Sequence, residues 1–393
     1  MYKRQYLDNG ELAKFYPTSV LATGGDILYP WVARMIMLGL KLTDKVPFKH
    51  VYLHGLVLDE HGVKMSKSKG NVINPIETLT EYGSDALRMG VMASRSAGQN
   101  QAFSSSKVVA GRNFCNKLWN IARYTEDKVG EGYRATPPNP ESLADHWILK
   151  ELATATGKLE ELIDSYRFAE ASELVYHTVW SSVADWYIEA SKRQSNPAML
   201  TYVLETVLKL AHPFAPFVTE TIWQTLPGND GTLLISAAWP DQLPYDDIAA
   251  AEFERLQALV TEVRLVTSEL PGNHKYTLLF QQDTLVEDNS ELICHLANLK
   301  EVKKVDQAKG IRLANSGRDA WIEIDEKTLY EHQSNLEVRL AEAHKLANSL
   351  EGRLNNKNYT DKAPENLVQE TRDQLEQTNS RIERLQREFD VLT

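Results

Sequence analysis

Val51-Tyr52-Leu53-His54-Gly55-Leu56-Val57, followed shortly by Lys64-Met65-Ser66-Lys67-Ser68-Lys69-Gly70-Asn71, decides how the first hundred residues fold. The first run alternates bulk and ends in His-Gly, the pattern of a buried parallel strand opening into a ligand-facing loop. The second puts three ammonium groups and two hydroxyls on one short turn. Such a turn suits a triphosphate, because nucleotidyl transfer asks chiefly for positive charge where negative charge develops. A Lys-rich heptamer alone would read as a solvated basic turn or a nuclear-localisation patch. Its neighbours argue otherwise: Asn74-Pro75-Ile76-Glu77 downstream is a helix start, with Asn as N-cap, Pro at N1 and Glu at N3.

Outward from that core, residues 1–107 alternate strand-like and helical runs, which suggests the second half of a parallel α/β sheet. Trp31 to Leu40 is apolar almost all round, as expected of a helix packed on the sheet. Gly83 punctuates the next helix, and Ser84 is placed to cap the one carrying Asp85 to Arg88. Residues 108–250 read as long helices, with apolar positions at helical spacing in Phe114, Leu118 and Ile121 and again in Val203, Val207 and Leu210. His212-Pro213-Phe214-Ala215-Pro216-Phe217 reads as packing at a helix break. Residues 251–330 begin with a helix and then mix short β runs, a small α/β module without an acid/base pair or phosphate loop. In residues 331–393, Leu336, Leu340, Ala343, Ala347, Leu350 and Leu354 form one heptad stripe, and Val368, Thr371, Leu375, Thr378, Ile382, Leu385, Phe389 and Leu392 another. With Asn355 to Ala363 and Pro364 as breaker, they predict an antiparallel coiled-coil hairpin.

The net charge of −11 over 393 residues argues at first against a polyanionic partner. Distribution matters more: residues 1–107 hold thirteen Lys or Arg against nine Asp or Glu, so the first domain is basic on an acidic body. Phosphate contacts act within about a Debye length, ~8 Å at physiological salt, so a local basic surface suffices. Two cysteines, Cys115 and Cys294, far apart and in no metal-ligand spacing, imply neither a disulfide framework nor a zinc site and fit a cytoplasmic setting. No run approaches the ~20 apolar residues of a membrane span.

At Lys64-Met65-Ser66-Lys67-Ser68 the chain resembles the class I aminoacyl-tRNA synthetases, whose second signature is KMSKS. His54-Gly55-Leu56-Val57 and Tyr82-Gly83-Ser84-Asp85-Ala86-Leu87-Arg88 are similar to the branch that charges valine, isoleucine and leucine. The segment Thr23-Gly24-Gly25-Asp26-Ile27-Leu28-Tyr29-Pro30-Trp31-Val32-Ala33-Arg34-Met35 and the hairpin favour the valine-charging members. The resemblance implies a multidomain α/β plus α chain. Residues 1–107 would be the C-terminal half of a Rossmann-like catalytic domain and 108–250 a helical-bundle anticodon-binding domain. The small α/β module at 251–330 and a coiled-coil tRNA-binding arm at 331–393 would follow. It implies ATP with Mg2+ as substrate, valine activated to an adenylate with release of pyrophosphate, and transfer to tRNA-Val. It implies no protein-bound zinc and a monomer.

On the same resemblance, Lys67 contacts the ATP phosphates and Lys64 holds the same triphosphate, the two cations with catalytic roles, while Ser66 and Ser68 donate to phosphate or fix the loop. Gly24 lets backbone approach the nucleotide. Asp26 accepts from ribose hydroxyls or caps a helix. His54 and Gly55 line the adenine by backbone contact. Trp31 is either the aromatic beside the valine side chain or a residue buried under the sheet; Pro30 and Gly25 depart from the residues expected beside it. For tRNA, Arg112, Lys117 and Arg123 are candidate cations and Trp119 a stacking platform, against the alternative of surface charge or core. No HIGH-type His-x-Gly-His and no inserted editing domain occur in these residues, so the expectation is a partial sequence unable to form adenylate by itself. The alternatives are a stand-alone tRNA-binding accessory protein and an isoleucyl enzyme fragment.

Overall fold

Two strands, β1 (Thr18–Gly24) and β2 (Phe48–His54), run parallel in register from Thr18 opposite Phe48 to Gly24 opposite His54. A parallel pair cannot close through a tight turn, and here a π-helical turn, Leu28–Ala33, leading into α1 (Arg34–Thr43) makes the crossover. This is the geometry in the computed structural model, which describes residues 14–93, 98–130, 138–226, 231–271, 274–313, 315–360 and 365–392. A second parallel pair joins β3 (Val57–Leu58) to β4 (Gln101–Ala102), with α2 (Pro75–Tyr82) and α3 (Ser84–Met92) between them in sequence.

Two expectations for this region need correction. The run at Val51 is a strand but a half-exposed one, with only Phe48 of β2 buried. Of the all-round apolar run Trp31 to Leu40 only Val32 is buried; α1 itself has no buried residue, and Met37 and Leu38 are 61% and 59% exposed. A sheet two strands wide covers at most one side of a helix, so an all-round apolar sequence must leave a side uncovered. The helix start at Asn74 has the expected cap: its carboxamide oxygen accepts from the Ile76 amide at 3.1 Å and its Nδ2 donates to Glu77. The next helix differs, since Gly83 and not Ser84 is its N-cap.

The chain divides into two compact units, Met1–Ala250 and Ala251–Thr393. In the first, α4 (Ser105–Val129), α5 (Leu143–Asp164), α6 (Phe168–His177) with its π-helical extension Thr178–Tyr187, α7 (Ile188–Ser191), α8 (Pro197–Ala211) and α9 (Pro216–Thr225) form a helical bundle. The periodic residues make its core: Phe114, Leu118, Leu152, Leu159, Val183, Leu204 and Val207 are all buried. One buried carboxylate knits three helices. Asp145 closes a capping box with Ser142 and accepts from the Tyr187 hydroxyl at 2.8 Å and the Asn196 amide at 3.2 Å. Burial, with Asp145 beside it, raises the Tyr187 pKa well above its ordinary value.

In the second unit, α10 (Asp247–Glu269) precedes a mixed four-stranded sheet in the order β6-β5-β8-β7, built from β5 (Thr277–Phe280), β6 (Glu301–Lys304), β7 (Ile311–Arg312) and β8 (Ala320–Glu323), with α11 (Thr284–Asp288) and α12 (Ser290–Leu296) between β5 and β6. Two long helices follow, α13 (Glu326–Leu354) and, after the short α14 (Lys357–Thr360), α15 (Glu365–Leu392). They pack antiparallel. Leu385 lies with Leu336, Leu340 and Ala343, while Thr371 meets Tyr359 at the opposite end. Pro364, expected at the start of α15, lies outside the described residues.

Candidate functional site: a lysine loop at the carboxyl ends of parallel strands

The parallel register brings Gly24 and His54 side by side at the carboxyl ends of β1 and β2, the edge at which open α/β sheets receive ligands. The lysine loop comes to this edge. Lys64 Nζ stands 3.6 Å from the Asp26 carboxylate, and both side chains are more than half exposed. An ion pair this open is worth at most about 1 kcal/mol, so a ligand anion or cation competes for either partner easily. Lys67, Ser68 and Lys69 form one 3-10 turn, with all three side chains exposed. The Ser66 and Ser68 hydroxyls lie 3.2 Å apart and hydrogen-bond to each other. What the arrangement offers chemically is mobile positive charge and small donors beside a carboxylate and a glycine.

At Gly24 the crowding comes from within the chain: a Cβ there would stand 2.8 Å from the Asp26 carboxylate. Asp26 is not a helix cap. The cap positions flanking it are Gly24 and Ile27, neither with a side-chain bond, and the Asp26 carboxylate pairs with Lys64 instead. Gly55 has a reason internal to the fold, since a Cβ would fall 1.6 Å from the Gln99 carbonyl oxygen, where residues 98–101 cross the strand end. The Asn100 side chain secures that crossing by accepting from the Leu56 amide at 2.8 Å. The His54 imidazole is exposed, and its Nδ1 lies 3.2 Å from the Gly55 carbonyl. Trp31 is not buried under the sheet; it is 42% exposed on the π-helical turn.

The tRNA candidates divide. Arg112, Trp119 and Arg123 lie at helical spacing on one exposed stripe of α4, with Trp119 41% exposed and Arg112 over the Tyr82 ring at 5.7 Å. Lys117 turns inward: its ammonium pairs with Asp185 at 3.2 Å and sits 4.9 Å from the Trp180 ring centre, on a stack that continues through Tyr176 to Phe114.

Sequence reasoning missed two groups. Asp85 and Arg88, noticed only as motif letters, join α3 to the bundle: Asp85 accepts from the amides of Phe217 and Val218 at 3.3 and 2.7 Å, and Arg88 donates to the carbonyls of Pro213 and Phe214. The signal was an acid and a base one helical turn apart opposite a proline-broken helix start, which exposes both amides and carbonyls. The second group is the pair Asp59 and Asn71 beneath the lysine loop. The Asn71 carboxamide and then the Val63 amide hold the Asp59 carboxyl below its ordinary pKa. Among the described residues no group of three or more His, Cys, Asp or Glu side chains is placed to hold a metal ion, and no helix is long and apolar enough to cross a membrane.

Three family models match the chain in order: tRNA synthetases class I (I, L, M and V) over residues 3–104, the anticodon-binding domain of tRNA ligase over 145–275, and the valyl tRNA synthetase tRNA binding arm over 329–393. The chain is thus similar to class I tRNA synthetases in its first hundred residues and to valyl tRNA synthetases in its C-terminal arm. It is 35% identical to a valine–tRNA ligase of Mycolicibacterium paratuberculosis, over 97% of this chain and 46% of that protein. It is 37% identical to one of Brucella melitensis, over 93% of this chain and 43% of that protein. The chain thus spans about half the length of the curated relatives it matches. A solved leucyl synthetase from Agrobacterium radiobacter K84, in a ternary complex with tRNA and LeuAMS, superposes with a TM-score of 0.48 at 20% identity, over 68% of this chain and 31% of that one.

Proposed function

We propose that this chain carries part of a valine–tRNA ligase: the lysine-loop half of an ATP site, an anticodon-binding bundle and a tRNA-binding arm. The observation that carries the reading is the loop's position. Lys64, the loop's first lysine, stands 3.6 Å from Asp26 beyond the end of β1, where Gly24 lies opposite His54, and Lys67 and Lys69 follow on the exposed 3-10 turn. In the proposed reaction the valine carboxylate attacks the α-phosphorus of ATP, which enters with Mg2+ as substrate. Pyrophosphate leaves, and a terminal hydroxyl of tRNA-Val then attacks the acyl carbonyl and releases AMP. Lys67 would take the departing pyrophosphate charge and Lys64 would exchange Asp26 for the triphosphate, lowering the barrier because the cation meets more negative charge in the transition state than in the ground state. Ser66 and Ser68 would donate to phosphate. Asp26 would accept from the ribose, with Gly24 and the His54-Gly55 backbone beside the base. Trp31, exposed on its turn, would meet the valine side chain.

On the RNA side, Arg112, Trp119 and Arg123 form the proposed contact stripe, with Lys117 supporting it through Trp180. The proposed domains are those of the sequence reading, 1–107, 108–250, 251–330 and 331–393, in a monomer. The two separated cysteines, both free, support a cytoplasmic setting. Titration calorimetry of the chain with Mg2+·ATP and with pyrophosphate tests the core of this reading: binding is expected, and Lys67→Ala is expected to weaken it at least about tenfold. An unaltered affinity in Lys67→Ala, or none in the parent chain, refutes it. For tRNA-Val, Arg112→Ala and Arg123→Ala should each lower the slope of log affinity against log salt by about one.

A further inference from the structure

Two side chains close the base of the lysine loop: Asn71, and Met65, whose Sδ accepts from the Ile73 amide at 3.5 Å. Asn71 Nδ2 donates to Asp59 Oδ2 at 2.8 Å and, at a longer 3.4 Å, to the Lys64 carbonyl, while its Oδ1 accepts from the Ser66 amide at 2.9 Å. Asp59 is itself held. Its Oδ1 accepts from the His61 and Val63 amides at 3.0 and 2.7 Å, its own amide donates to the Val63 carbonyl at 2.9 Å, and Leu58 bridges Lys64 across the same turn. That turn is continuous with β3, which is paired to β4. Both ends of the loop are therefore fastened to the sheet, and the 3-10 turn bearing Lys67 rises from a fixed base.

We propose that Asn71 is a positioning residue for phosphate binding: its carboxamide, oriented by Asp59, fixes the loop so that Lys67 is presented toward the carboxyl ends of β1 and β2. This rests on the reading of the loop as a phosphate site and adds the device that shapes it. Lysine side chains are long and lose rotamer freedom when they bind, so a fixed backbone beneath them leaves less to order on binding. The two oxygens of Asp59 have separate tasks, Oδ1 serving the turn and Oδ2 serving Asn71. That separation makes the pair exchangeable. Asn71→Asp sets oxygen against oxygen, and Asp59→Asn sets one NH2 against another. Combined, they restore a donor facing an acceptor with the direction reversed, while the carboxylate at position 71 still accepts from the Ser66 amide.

The test uses the full chain and four variants: Asn71→Ala, Asn71→Asp, Asp59→Asn and the double exchange Asp59→Asn/Asn71→Asp. Two quantities are read, the rate of trypsin cleavage after Lys64, Lys67 and Lys69 followed by mass spectrometry, and the affinity for pyrophosphate. Each single variant is expected to speed cleavage and weaken pyrophosphate binding on the order of fivefold, the loss of about one hydrogen bond. The double exchange should return both to within about threefold of the parent, the shortfall being the 3.4 Å contact to Lys64 that a carboxylate cannot make. Unchanged single variants, or a double variant as poor as the product of its parts, overturn the proposal. Pyrophosphate binding that needs Lys67 but ignores position 71 overturns this inference and leaves the phosphate site standing. Cleavage that follows the expected order in a chain that binds no pyrophosphate overturns the phosphate reading and keeps the staple.

Discussion

Replacing Asp85 by alanine should separate α3 from the bundle at their junction. The Asp85 carboxylate is buried and accepts two backbone amides at the start of α9, Phe217 N at 3.3 Å and Val218 N at 2.7 Å. These are two of the amides a helix start leaves without partners inside the helix, and the helix dipole adds to their attraction for an anion. A hydrogen bond to a charged group contributes about 1.5–3 kcal/mol. The shorter bond counts near the middle of that range and the longer at its low end, where water can take over part of the task, so Asp85→Ala should cost about 2–4 kcal/mol. Asp85→Asn keeps one acceptor oxygen and should cost roughly half as much. Urea unfolding of the chain reads the loss as a midpoint lowered by about 1 M, taking a slope of about 2–3 kcal/mol/M. Hydrogen exchange should locate it, with the amides of Phe217 and Val218 losing protection while those in the middle of α5 keep theirs. A cost under about 0.5 kcal/mol, or protected amides at both positions, would refute the view that this carboxylate joins the two elements.

Tyr187→Phe removes the hydroxyl that reaches Asp145 in the bundle core and should cost about 1–3 kcal/mol in urea unfolding, because a buried acceptor loses a donor. Burial lowers the His212 pKa below 6.5, against a smaller opposing pull from Glu220. Below 6.5 the unfolded imidazole therefore binds more proton than the folded one, so the contribution is present above 6.5 and lost as pH falls from there through the lower folded value. His212→Gln should flatten the dependence of the urea midpoint on pH between about 5 and 8, and an unchanged slope would count against it. Leu385→Ala opens a cavity against Leu336 and Leu340 and should cost about 2–5 kcal/mol, seen as loss of helical signal from the second unit at lower temperature. Lys117→Ala should lower stability by about 1 kcal/mol through its Asp185 and Trp180 contacts; a tRNA affinity that drops as much as in Arg123→Ala would show Lys117 to be a direct contact instead.

Local chemistry was legible from residues alone where one residue decides it. Asn74-Pro75-Ile76-Glu77 starts a helix because the Asn74 carboxamide accepts from the Ile76 amide, Pro75 has no N–H to leave without a partner, and Glu77 accepts from the Asn74 side chain. The apolar residues of α13 and α15 turn toward each other because their repeat matches the helical period. The lysine loop, too, announced itself by composition. Tertiary structure alone decided what lies opposite. Lys64 meets Asp26 because a parallel register and a crossover turn bring positions 38 residues apart to one edge. Gly55 is required by the backbone of Gln99, and Asp85 finds its amides 132 and 133 residues away. Burial was misjudged along α1 for the same reason. Hydrophobicity states which side chains gain from cover, but only the number and placement of neighbouring strands decides which of them are covered.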